Sequence, residues 1–211
     1  NVVYVGHNSP GKKHLLRMLT EAAPFGLAIY GHPGWNNAQH DIRNLYRGVL
    51  PPEDLSRVYA SARVVIGTTE LQQQRLGMIN NRLYEALSCG ATFISDSFEA
   101  IEHEFSGEDL VLFDRGVPGD TTAHLLRLLS GGNNSNRIFD GTKELERRSK
   151  AGRKRILHNE TWGHRVTGML KFVQSLDAPG SATPRPNRPR ALLVGEGVGS
   201  YFEQGTTGSA A

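Results

Sequence analysis

Residues 77–96, GMINNRLYEALSCGATFISD, place Arg82 and Glu85 three positions apart, just after Asn80 and Asn81 and just before an apolar run. If a helix starts at the asparagines, its first turn leaves N–H groups unpaired and carries the positive end of the helix dipole. That suits an anion, most often a phosphate. Arg82 adds a full charge, and Glu85 adds a carboxylate that can accept from two vicinal hydroxyls, as acids do at ribose sites. The plainer alternative is a surface i,i+3 ion pair worth only about 0.2–0.5 kcal/mol. Residue types alone leave the two readings level.

A second candidate is the stretch Gly6-His7-Asn8-Ser9-Pro10-Gly11-Lys12-Lys13 between a strand-like run and a helix-like one. Its two glycines allow close backbone approach to a phosphate, Lys12 or Lys13 could neutralise it, and His7 could hydrogen-bond a ligand. It matches neither GxxxxGK[ST] nor GxGxxG, so no nucleoside-triphosphatase loop is implied. An ordinary strand–helix turn with solvated lysines is the alternative. The chain contains eight histidines but no HxH, HExxH or His/Cys cluster, so no metal is expected. No GxSxG elbow or Ser–His–Asp order suggests a hydrolase.

These residues must be held by elements, and the pattern alternates. VVYV (2–5), LAIYG (27–31), ARVVIG (62–67), ATFIS (91–95) and LVLFD (110–114) read as strands. Segments 14–22, 53–61, 81–89, 121–130, 142–157 and about 161–175 read as helices. In the third of these, Ile79, Leu83 and Leu87 recur at i, i+4, i+8 and form a packing face, with Asn80 or Asn81 as N-cap and Gly90 just past the end. Continuous Val/Ile/Leu strands alternating with helices predict a doubly wound parallel α/β sheet, with ligands beyond the carboxyl ends of its strands. Residues 131–141, GGNNSNRIFDG, read as a surface loop.

Composition narrows the class. With 38% hydrophobic residues and no apolar run near twenty, the 211 residues predict a soluble globular protein without a transmembrane helix. The lone Cys89 excludes an internal disulfide. A net charge of +3 permits anionic ligands without requiring nucleic acid. The strongly basic helix 143–157 reads as a solvated face, contact with an anionic membrane being the minority alternative. An apolar strand begins at once after Asn1, so the chain reads as a fragment. APGSATPRPNRPR (178–190) reads as a linker, and ALLVGEGVGSYFEQG as the start of a further unit.

With these residues laid out, the chain resembles the C-terminal, donor-binding half of glycosyltransferases with two Rossmann-like domains, the GT-B architecture. The closest likeness is to the CgeB-type spore-protein glycosyltransferase-like family, itself similar to the group-1 glycosyltransferases. NRLYEALSCGA and ETWGHR carry most of the specificity; VVYVGHN, LAIYGHPGW and LSRVYASARVVIGTT follow in the right order. The resemblance covers about residues 1–175. It implies a nucleotide-sugar-binding domain over 1–176, a linker over 177–190 and a truncated unit or tail over 191–211.

The resemblance also implies roles. Glu85 would bind the ribose of a nucleotide-diphosphate sugar. Gly77, Met78, Ile79, Asn80 and Asn81 would lay backbone N–H groups and an amide on the diphosphate, with Arg82 alongside. Gly6, His7 and Lys13 would face it from the other side, and Val49–Pro51 would meet the base edge. Arg82 and Lys12 would stabilise the departing diphosphate as catalytic groups, with no cofactor or metal beyond the donor itself. One departure stands out: many group-1 enzymes carry a glutamate where this chain has Gly77, and Glu70 is out of register. An inactive nucleotide-sugar-binding module and an epimerase of the same architecture therefore stay open beside the transferase. The acceptor (glycan, protein or lipid) would be met mostly by an N-terminal domain. The implied setting is cytoplasmic, with a peripheral place at the inner face of the membrane as the alternative, in cell-envelope or spore glycosylation.

Overall fold

Five short runs dominated by β-branched and other apolar residues form the sheet. The computed structural model describes residues 1–8, 13–129, 132–134, 137–139 and 141–176. In chain order the elements are β1 (Val2–Val5), α1 (Lys13–Ala22), β2 (Leu27–Tyr30), α2 (His40–Arg43), α3 (Pro52–Ser61), β3 (Val64–Gly67), α4 (Leu71–Arg75) and α5 (Asn81–Ser88). There follow β4 (Thr92–Asp96), α6 (Glu99–Glu104), β5 (Val111–Phe113), α7 (Asp120–Leu129), β6 (Gly132–Asn134), β7 (Arg137–Phe139), α8 (Gly141–Asn159) and α9 (Trp162–Leu176). The main sheet is parallel throughout, in the order β2-β1-β3-β4-β5.

Successive side chains on a strand point to opposite faces, and both faces here are covered. Val2, Tyr4, Val64, Ile66 and Ile94 pack one way, against Leu15, Met18 and Leu19 of α1 and Leu125 and Leu128 of α7. Val3, Val65 and Phe93 pack the other way, against Tyr59 of α3, Leu83 and Leu87 of α5 and Ile156 of α8. The doubly wound α/β sheet expected from the sequence is therefore the observed one. Its order reverses between β1 and β3, so the carboxyl ends of those two strands flank the crevice where such sheets take ligands.

Residues 131–141 are not simply a surface loop: β6 and β7 pair antiparallel within them. Three-residue strands carry too little periodicity to be seen beforehand. Residues Asn1–Lys171 form one compact unit, and Phe172–Ala211 a second, described only as far as the end of α9. The expected linker and tail (177–211) lie outside the described residues, as do Ser9–Lys12.

Candidate functional site

The helix carrying Arg82 and Glu85 begins and ends as its local sequence dictates. Asn80, in extended conformation, caps α5 by accepting the Arg82 N–H at 3.0 Å; Asn81 is already helical. At the other end Gly90 N–H donates to the Leu87 carbonyl at 3.0 Å and Ala91 N–H to the Ala86 carbonyl at 3.1 Å, the paired closure of a Schellman motif. Just upstream α4 closes the same way. Gly77 N–H donates to Gln74 and Met78 N–H to Gln73, each at 2.9 Å. This corrects one expectation: the N–H groups of Gly77 and Met78 are already engaged. Those of Ile79, Asn80 and Asn81 donate to nothing among the described residues.

Arg82 does not extend into solvent beside Glu85. Its guanidinium lies over the ring of Tyr4, 4.8 Å from the centroid, at the carboxyl end of β1. A Cβ on Gly6 would come within 2.5 Å of its Nη2, and one on Gly67 within 3.4 Å of its Nη1. The charge therefore sits between the ends of β1 and β3, where the sheet order reverses. Tyr4 is fully buried and meets Trp35 edge-on at 5.8 Å, while the Trp35 indole N–H donates to the Gly6 carbonyl at 2.8 Å. Arg82 Nη1 and Tyr4 Oη are buried without a hydrogen-bond partner among the described residues.

Glu85, one turn along α5, is exposed and forms no ion pair with Arg82, so the surface-pair alternative is not what this helix builds. Both residues bear on Tyr59, the last large side chain of α3. Burial holds the Tyr59 phenol above its ordinary range; Arg82 pulls it down and Glu85 pushes it further up.

The first loop contributes Gly6 and His7. His7 is exposed, its ring set edge-on to His32 at 5.6 Å across the ends of β1 and β2. Lys13 opens α1, and Lys12 lies outside the described residues. Asn8 donates to the Gly34 carbonyl at 3.2 Å. The segment expected at the base edge, Val49–Pro51, follows a stretch that runs beside β2: Gly31 N–H donates to the Gly48 carbonyl at 3.1 Å. Val49 is 65% exposed there. Ile79, Asn80 and Arg82 thus line one crevice, with Gly6 against the Arg82 guanidinium, Met78, Asn81 and Glu85 on the adjoining segments and His7 on the β1–β2 rim.

One cluster had no role in the sequence reading. Asp96, at the end of β4, is fully buried, yet it gathers groups from both neighbouring strand ends. It accepts the Thr69 N–H at 3.1 Å, the Gln74 amide at 2.7 Å and the Ser95 hydroxyl at 3.3 Å, and pairs with Arg115 beyond β5. Arg115 also donates to the Thr69 carbonyl at 3.3 Å and accepts at its own carbonyl from Arg17 of α1. Burial raises the Asp96 carboxyl above the ordinary aspartate value, with Arg115 first among the groups that oppose it. The acid that closes the apolar run at 92–96 was visible in the sequence, but apart from the adjacent Ser95 its partners lie 19 to 27 residues away.

The family model described as "Glycosyl transferase-like" matches residues 11–171. No curated protein matches the chain significantly in sequence. Among solved structures, sucrose-phosphate synthase from Thermosynechococcus elongatus is similar at 16% identity and a TM-score of 0.60, over 83% of this chain and 45% of that one. Anabaena HepE, solved in complex with UDP-glucose, is similar at 11% identity and 0.61, over 82% and 48%. The UDP-forming α,α-trehalose-phosphate synthase from Burkholderia vietnamiensis is similar at 11% identity and 0.55, over 82% and 45%. The chain spans less than half the length of each of these structures. At such identities they show the fold, the Rossmann-like architecture of GT-B glycosyltransferases. With the family model covering most of its length, the chain belongs to the glycosyl transferase-like family.

Proposed function

We propose that the chain is the donor-binding domain of a glycosyltransferase, holding a nucleotide-diphosphate sugar whose glycosyl group passes to an acceptor. The single observation that carries this reading is the start of α5. There three unengaged N–H groups, the dipole end of an eight-residue helix and the Arg82 guanidinium meet at the strand-order reversal, with the Glu85 carboxylate one turn on. Those donors suit the diphosphate, and the carboxylate suits the ribose hydroxyls. As the sugar bond breaks, negative charge grows on the phosphate that leaves. Fixed donors that strengthen there lower the barrier, each typically by about 2.7–4 kcal/mol. In this reading Arg82 and Lys12 supply that charge stabilisation, with Gly6, His7 and Lys13 facing the phosphates from the β1 side and Val49–Pro51 at the base.

The finer assignment is a CgeB-type enzyme transferring a hexosyl or related group, with the acceptor and any catalytic base presented largely by another domain. Because HepE was solved in complex with UDP-glucose, that donor is the first to test. Gly77, where many relatives carry a glutamate, favours a second reading in which the domain binds the donor without turning it over. Calorimetry of the chain with UDP-glucose, and with GDP- and ADP-sugars beside it, tests binding. Arg82→Ala and Glu85→Ala are each expected to weaken the best donor tenfold or more; unchanged affinity in both refutes the assignment. Release of nucleoside diphosphate by the full-length enzyme with acceptor present separates transferase from pure binder.

A further inference from the structure

Two polar atoms that line one cleft beneath the crevice lack partners among the described residues, and they lie on different elements. Thr68, the residue after β3, is 2% exposed, and its Oγ1 is buried with no hydrogen-bond partner among the described residues. Arg82 Nη1, from α5, is in the same condition. Both residues line one narrow cleft, together with Gly67, Asn80 and Ser95. That cleft has no room for a water molecule, so solvent does not satisfy either donor. Buried polar groups are nearly always paired, and an exception calls for an explanation.

Thr68 is not there by looseness of the chain. The next residue, Thr69, is 3% exposed and its N–H is clamped to the Asp96 carboxylate, which Gln74 and Arg115 hold in turn. The cluster around Asp96 therefore fixes the strand end that presents Thr68. What both orphaned groups share is a capacity to donate, so the missing partner is an acceptor. An acceptor that can meet a guanidinium and a hydroxyl together, beside the unengaged N–H groups of Asn80 and Asn81, is a phosphoryl oxygen.

We propose that the Thr68 hydroxyl is a phosphate-binding group of this crevice, acting with Arg82 on the same phosphoryl group of the ligand. The site fills as Arg82 moves off the face of Tyr4, exchanging a cation–π contact for charge-assisted hydrogen bonds and opening the cleft over Thr68. Asp96, Gln74 and Arg115 are positioning residues for this site; they act through the Thr69 backbone. The inference rests on the donor-binding reading and adds a residue and a ligand atom class to it.

The test is titration of the chain by calorimetry with UDP, GDP and ADP, and with inorganic pyrophosphate as a probe carrying no base or ribose. Thr68→Val, which keeps the shape and removes the hydroxyl, is expected to weaken the best-bound diphosphate and pyrophosphate about tenfold, one charge-assisted hydrogen bond. Thr68→Ser is expected to bind within threefold of the parent. Should valine unfold the chain by thermal melt, Thr68→Ala takes its place. Undiminished binding by the valine or alanine variant overturns the Thr68 assignment and leaves the donor reading standing. Serine binding as poorly as valine also overturns it, since the methyl and not the hydroxyl would then matter. Failure of the parent chain to bind any of the four probes overturns the donor reading and this inference with it.

Discussion

Arg82 holds its charge inward, over Tyr4 and between two glycines, and the consequences are specific to those neighbours. Gly6→Ala would place a methyl 2.5 Å from Arg82 Nη2 and 2.7 Å from Tyr4 Oη. The guanidinium must move, at a cost of roughly 1–3 kcal/mol in stability as overpacking. Donor affinity should fall with it, and a variant that melts and binds like the parent would show that Arg82 is not placed by Gly6. Asp96 offers a pH test. Its folded-state pKa is raised, so the folded chain holds that proton more tightly than the unfolded one. The stability it lends is present at low pH and declines as pH rises above the ordinary aspartate range through the raised folded value, then levels. Asp96→Asn removes that slope, so its melting temperature relative to the parent should improve across that window. It should still be lower at neutral pH, because Arg115 loses its buried partner. A parent–variant difference independent of pH would mean Asp96 does not titrate differently on folding. At this scale the sequence was legible where partners are near in the chain: Asn80 as cap, Gly90 as stop, Arg82 at the helix start. The inward course of Arg82 and the partners of Asp96 depend on residues brought together only by the sheet, and no local spacing encodes them.

At the scale of elements, legibility followed length and period. The five main strands and α5 announced themselves through apolar runs and the i, i+4, i+8 spacing of Ile79, Leu83 and Leu87, the last two fully buried. The five-residue α4 and six-residue α6 did not, since neither completes two turns, and the β6–β7 pair is too short to alternate visibly. Yet α4 matters to the site, because its Gly77 and Met78 closure leaves the next three N–H groups for whatever sits at α5. That makes Asn80 the joint between two helices. Asn80→Ala should lose the cap on Arg82 N–H and about 1 kcal/mol of stability. It should weaken donor binding by more than Asn81→Ala, whose side chain is exposed and caps nothing. Equal effects of the two substitutions in melting and titration would remove the cap from the account of the site.

At the scale of the whole described unit, three strands serve two cores at once. β1 sends Val2 and Tyr4 to one face and Val3 to the other; β3 divides Val64 and Ile66 from Val65; β4 divides Ile94 from Phe93. A strand cannot leave one core and keep the other, because its backbone hydrogen bonds to its neighbours hold both sets of side chains in register. The crevice lies at the ends of β1 and β3, two of the three strands that share both cores, so its strand ends cannot part while the fold beneath them persists, and only side chains such as Arg82 are free to move there. Residues Asn1–Lys171 should therefore unfold as one cooperative transition despite having two apolar layers. Leu19→Ala in the layer under α1 and Leu87→Ala in the layer under α5, each removing a fully buried side chain, should shift that same transition by about 2–5 kcal/mol apiece. The two shifts should add, since the cavities lie on opposite faces of the sheet. Calorimetric and van't Hoff enthalpies that agree in the parent and in both variants would bear this out. A second transition appearing in either variant would show that the layers melt separately, and that the crevice between β1 and β3 can loosen while half of the fold persists.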